Sequence, residues 1–128
     1  VSAPLQLLGI ALAGAVGTLA RYGLTHLVQR HAGLAFPWGT FVVNVVGCLA
    51  FGICWSLIEQ RAAAVAAWRA VILVGLLGGF TTFSSFAFEG AGLLRNGEWA
   101  LALGHMAGQN ILGVLAVFAG LALGRLAG

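Results

Sequence analysis

Hydrophobic positions in this chain neither alternate nor gather on one helix face; they run in blocks. Four stand out: about Leu5 to Val28, interrupted by Arg21; about Trp38 to Ile58; Ala70 to Phe88, bounded by Arg69 and Glu89; and Trp99 to Leu123, ahead of Arg125. Each approaches or exceeds the ~20 residues a helix needs to cross a bilayer core. Only helices and closed barrels satisfy every backbone group in lipid, and continuous rather than alternating apolar runs select helices. The pattern predicts an all-α integral membrane protein with four transmembrane helices, forming one domain over residues 1–128.

The polar punctuation agrees. Pro37 and Trp38 open the second block, Glu59-Gln60-Arg61 closes it, and Arg95-Asn96-Gly97-Glu98 makes a tight turn before the fourth. Trp38, Trp55, Trp68 and Trp99 fall near predicted ends, where an interfacial aromatic belt places them. The first loop, Gln29 to Phe36, is short; the second, about Glu59 to Ala67, is Ala-rich enough to continue as helix. Small residues recur every fourth position (Gly9, Ala13, Gly17; Gly104, Gly108; Gly120, Gly124), a spacing that lets helices approach closely, within the chain or between subunits. No basic n-region of a secretory signal is present, and the absent initiator Met points to a trimmed or partial N-terminus.

Composition narrows the class further. Charged residues make up 7% of the 128, where a soluble domain carries about 25% to cover its surface. That excludes an ordinary soluble enzyme and a disordered tail. The six bases are all Arg and are scattered, which gives no nucleic-acid footprint. Cys48 and Cys54, six apart inside one apolar block, lie on different helix faces and read as small membrane-helix residues rather than a disulfide or a metal pair. With four spans, Arg61, Arg69 and Arg125 lie on the side of the N-terminus, and Arg21, Arg30 and Arg95 on the other. Positive charge in the flanks normally sets orientation; three against three sets none. Either other features fix the topology, or the chain inserts both ways and pairs as an antiparallel dimer.

Polar groups inside spans are costly and are functional candidates by default. Thr40 and Asn44 share a helix face, as hydrogen-bond donors or as interhelical glue. The densest signal is Gly78-Gly79-Phe80-Thr81-Thr82-Phe83-Ser84-Ser85-Phe86-Ala87-Phe88-Glu89. Two glycines followed by two threonines make a weak point in a membrane helix. A break there frees backbone groups, which are tolerated only when buried or lining a polar cavity, and freed carbonyls can coordinate a cation. Phe83 and Phe86 share a face if the helix resumes, and their positively polarised ring edges can approach an anion; alternatively they are packing residues. Arg21 either snorkels to the interface or raises anion concentration in a vestibule. Glu89 reads as an interface anchor or an Arg partner. His105 and Gln109 sit four apart in the fourth span with Asn110 adjacent; no second ligand at suitable spacing makes a metal site there. His26 and His31 read as interfacial. No Ser–His–acid set and no phosphate-cradling loop can be assembled, so the chain is not expected to be an enzyme. What remains is conduction or transport of a small, anionic solute.

Gly78-Gly79-Phe80-Thr81-Thr82-Phe83-Ser84-Ser85-Phe86 resembles the signature of the Fluc (CrcB-type) fluoride channel family. Gly14-Ala15-Val16-Gly17-Thr18-Leu19-Ala20-Arg21-Tyr22 and Trp38-Gly39-Thr40-Phe41-Val42-Val43-Asn44-Val45-Val46-Gly47 fit the same family in the same order. The resemblance covers essentially the whole chain. It implies a multi-pass protein of the plasma membrane, assembled as an antiparallel dual-topology homodimer with a break in the third helix and two pores that export cytoplasmic fluoride. It implies Phe83 and Phe86 as pore aromatics, Asn44 as the pore asparagine, Thr40 as a vestibule threonine, Ser84 and Ser85 as the hydroxyl segment, and Arg21 as the vestibule arginine. It further implies a structural sodium ion at the dimer axis, held by the carbonyls of Gly78 and Thr81 from both subunits. Where family members carry a Tyr and a small hydroxyl residue on the fourth helix, this chain has His105 and Gln109, with Gly113 one turn on; His105 would add a pH dependence that a Tyr would not. The runner-up is a small multidrug transporter, which would need a membrane-embedded Glu that the first span lacks. A third reading is a packing subunit of a larger complex.

Overall fold

The computed structural model describes residues 1–128 and is helical nearly throughout. Helix α1 spans Ala3–Ala32, α2 Trp38–Gln60 and the short α3 Ala62–Val65, followed by a 3-10 turn at Ala66–Trp68. A π-helical segment, Val71–Leu77, runs into α4, Gly78–Phe80; α5 covers Phe83–Arg95 and α6 Trp99–Ala127. Four stretches are long and apolar enough to cross a membrane: Ala3–Ala32, Trp38–Gln60, Val71–Arg95 and Trp99–Ala127. They coincide with the four blocks but run further. The third continues beyond Phe88 to Arg95, so Glu89 lies inside α5 rather than at the end of a span. The Ala-rich loop is helical only in short pieces.

Helix ends follow local chemistry. Pro4 occupies the first turn of α1, where its missing N–H costs nothing. Gly33, at φ +84°, ends α1 in a conformation L side chains rarely adopt, and its N–H reaches Gln29 O at 3.1 Å. The Gln29 amide then clamps the short loop: Nε2 donates to Phe36 O at 3.0 Å and Oε1 accepts from Gly39 N–H at 3.0 Å. Gly97, at φ +72°, turns the chain between α5 and α6, with Glu98 N–H on Leu93 O at 2.9 Å.

Two close helix pairings hold the bundle. α1 lies against the third span: a Cβ on Gly17 would collide with Leu76 O, and one on Gly79 would stand 2.6 Å from Gly14 O. α2 lies against α6, where a Cβ on Gly52 would strike Val117 O and one on Gly120 would strike Leu49 O. The stripes around Gly17 and Gly120 are therefore used inside the protomer, where small residues let backbones meet. Only 19 of 128 residues are buried, and large apolar side chains such as Leu19 and Phe118 stand exposed. Such a surface is at home against acyl chains or another subunit rather than water.

Candidate functional site

The third span holds the site. Helical dihedrals persist through Gly78, and then Thr81 (φ −86°, ψ 157°) and Thr82 (φ −147°, ψ 118°) are extended. The glycine pair is thus helical and the threonine pair is not. β-Branched residues tolerate extended backbone well, and Thr82 caps the helix that follows: its Oγ1 accepts from Ser85 N–H at 3.2 Å. The carbonyls of Gly78, Gly79, Phe80 and Thr81 lose their helical donors in consequence, and that of Gly79 accepts from Arg21 instead. Thr82 N–H, which would bond Gly78 O in a continuous helix, donates instead to Asn44 Oδ1 at 2.9 Å. Ser85 N–H, which would bond Thr81 O, is the one capped by Thr82.

Asn44 braces this segment from α2. Besides accepting from Thr82 N–H, it donates Nδ2 to Thr82 O at 3.0 Å and to Gln109 Oε1 at 2.8 Å. Gln109 Nε2 meets His105 Nδ1 at 2.9 Å, and His105 Nε2 meets Phe86 O at 2.9 Å. Both α6 residues are buried. His105 and Gln109, which the sequence left without partners, therefore belong to one network with Asn44 and the segment 82–86. The signal available was their i, i+4 spacing, which lets them bond each other; their other partners, Asn44 and Phe86, lie on α2 and α5.

A groove of about 310 Å³ opens beside the network, lined by Asn44, Gly47, Cys48, Phe51, Thr81, Thr82, Phe83, Phe86, Gln109, Asn110 and Val117. No carboxylate lines it. The rings of Phe83 and Phe86 are 5.5 Å apart, tilted by 41°. Phe83 is 79% exposed, whereas Phe86 stacks on the His105 imidazole at 5.1 Å and 29°. Next to the groove, the hydroxyl of Thr82 contacts Ser84 Oγ at 3.3 Å and Ser85 Oγ at 3.2 Å. Those two contacts consume at most two of the three hydroxyl hydrogens, so at least one O–H remains to donate elsewhere.

Thr40 is buried and donates Oγ1 to Glu89 Oε1 at 2.5 Å. The partner of Glu89 is therefore Thr40 of α2 rather than an Arg, and α5 continues past it. Arg21, half-buried, donates Nε to Gly79 O at 3.1 Å, tying α1 to α4. His26 and His31 are exposed and bond carbonyls of their own helix, Tyr22 O and Leu27 O. Cys48 and Cys54 are free thiols. No three His, Cys, Asp or Glu side chains gather at ligand distance.

Four apolar spans, the third of them interrupted, and a buried polar network define a small multi-pass membrane protein of the kind that conducts or transports. Comparison with known proteins makes the class specific. The family described as CrcB-like protein, Camphor Resistance (CrcB), matches residues 8–121, and the chain belongs to that family. A protein of Nitrosococcus oceani named fluoride-specific ion channel FluC is 50% identical over 121 residues, covering 94% of this chain and 97% of the relative. One of Solidesulfovibrio magneticus with the same name is 53% identical over 117 residues, 91% and 94% of the two chains. One of Chloroflexus aurantiacus, again so named, is 43% identical over 120 residues, 94% and 95%.

Proposed function

We propose that this protein is a fluoride-selective channel, an antiparallel dual-topology homodimer with two pores through which cytoplasmic fluoride leaves passively, lowering its toxicity. The observation that carries the reading is the identity, 50% across 94% of the chain, to a relative named as a fluoride-specific channel. The groove's chemistry supports it. A small, strongly hydrated anion needs donors to replace its water, and a carboxylate would repel it. The groove offers the Thr82 hydroxyl, which is bonded to those of Ser84 and Ser85 beside it, and the rings of Phe83 and Phe86. The first-turn amides of α5, apart from the capped Ser85, lie at an interrupted helix start, which favours negative charge.

Within this mechanism Asn44 builds the wall, because its amide hydrogens are already donated to Thr82 O and Gln109 Oε1. Ser84, Ser85, Phe83 and Phe86 meet the ion. Arg21 and Thr40 serve the approach, Arg21 by its fixed positive charge. A second, inverted copy would close the open side of the groove and supply aromatics from across the interface. The Gly78 and Thr81 carbonyls, deprived of helical donors by the Asn44 and Thr82 contacts, suit a hard cation such as sodium. Bound once at the dimer axis, the ion would neutralise four such dipoles and hold the two breaks together.

Reconstitution into liposomes loaded with fluoride or chloride tests the function. Fluoride efflux with little chloride efflux is expected; equal release of both, or no fluoride release, overturns the assignment.

A further inference from the structure

The hydrogen-bond chain through α6 has a direction fixed by two backbone groups. Thr82 N–H can only donate, so the Asn44 atom facing it at 2.9 Å must be the carbonyl oxygen. Asn44 therefore turns its NH2 toward Gln109 at 2.8 Å, which fixes the Gln109 oxygen there. Gln109 then presents its own NH2 to His105 Nδ1 at 2.9 Å, so Nδ1 must be bare. At the far end Phe86 O can only accept, so His105 Nε2 must carry the proton at 2.9 Å. Every member satisfies its neighbour in one polarity and in no other. The imidazole also lies stacked on the Phe86 ring, with the Phe36 ring edge-on to it at 5.9 Å and 78°.

Taking the fluoride-channel reading as its ground, we propose that His105 and Gln109 are positioning residues for conduction, His105 acting as the neutral Nε2–H tautomer. His105 is not part of the groove lining, and Gln109, which is, acts through the neighbours it holds. Gln109 and the Phe86 carbonyl together set the tautomer. The imidazole holds Phe86 by backbone carbonyl and ring face together, and so decides how the ring edge meets the groove. Through Gln109 the same chain fixes the Asn44 amide and, with it, the extended Thr82. This chain thus uses an amide and an imidazole, in series, to orient one pore aromatic and the helix break from a single buried point.

Selectively 15N-labelled histidine in bilayer-reconstituted protein tests the relay. The chain has only His26, His31 and His105, so a His26→Gln, His31→Gln background isolates the ring of interest. A bare Nδ1 and protonated Nε2 are expected; a ring protonated on Nδ1 overturns the proposal. Gln109→Glu replaces the facing NH2 by an acceptor and should drive a proton onto Nδ1, with fluoride efflux falling about tenfold or more. Gln109→Leu should slow efflux similarly while leaving Nδ1 bare. His105→Phe, which keeps the stack, and His105→Gln, which keeps a donor, should each recover only part of the flux, since each keeps half of the hold on Phe86. Wild-type efflux rates in dimeric, folded Gln109 variants would overturn the positioning role. If the unmodified protein releases no fluoride, the channel reading fails, while the ring signals still decide the relay.

Discussion

Asn44 offers one acceptor and two donor hydrogens, and all three are committed within the protomer, two of them to Thr82 alone. Its i, i+4 neighbour Thr40 shares the helix face but serves a different partner, Glu89 on α5. The sequence shows such residues to be costly in a membrane and hence functional candidates. It does not show what they bond, because each partner comes from another helix at distant sequence positions. The aromatic pair was more legible: spacing of three places Phe83 and Phe86 together if the helix resumes, and their rings lie 5.5 Å apart. Their environments differ, one exposed and one stacked on His105. Replacing either by Ile keeps bulk and removes the polarised ring edge. Efflux of fluoride from liposomes should then fall by about tenfold or more, a barrier rise of ~1.4 kcal/mol or above. Unchanged efflux in both variants would remove the ring-edge role.

The extended Thr81 and Thr82 come directly after a glycine pair that stays helical. The sequence reads the glycine and threonine pairs together as the weak point; the structure divides the labour. Gly79 admits the backbone of α1, since a Cβ there would stand 2.6 Å from Gly14 O, and the threonines take the extended backbone and the cap. The π-helical register of Val71–Leu77 had no visible signal, because a change of helix period leaves no trace in an unbroken apolar run. Interruption at this point frees the Gly78 and Thr81 carbonyls, on which the proposed sodium site rests. Exchanging sodium for a large organic cation during purification and reconstitution should weaken the dimer and abolish efflux, both restored on return of sodium. A dimer indifferent to the exchange, measured by sizing in detergent, would exclude a structural cation.

Four apolar blocks and nine charges were enough to read four spans, because lipid leaves a chain so few alternatives. The balance of arginines needs revision. Arg21 lies inside α1 and is tied to Gly79 O, so the flanking count becomes Arg30 and Arg95 on one side against Arg61, Arg69 and Arg125 on the other. A difference of one charge is a weak orientation signal, and dual insertion remains the proposal that uses it. Adding arginines to the 33–37 loop should lock every copy into one orientation and abolish efflux. Co-expression with a variant carrying added arginines in the 61–69 segment should restore it. Full efflux from either variant alone would argue against the inverted pair.

The groove of a single protomer is open, with Phe83 79% exposed beside it. In the proposed assembly that opening has a quantitative consequence for dosage. A lone folded copy turns its hydroxyl groups toward acyl chains and owns only half a conduit, so it contributes no partial conductance. At low abundance the number of working channels then rises with the square of the amount of chain in the membrane, and halving expression removes about three quarters of the protection it confers.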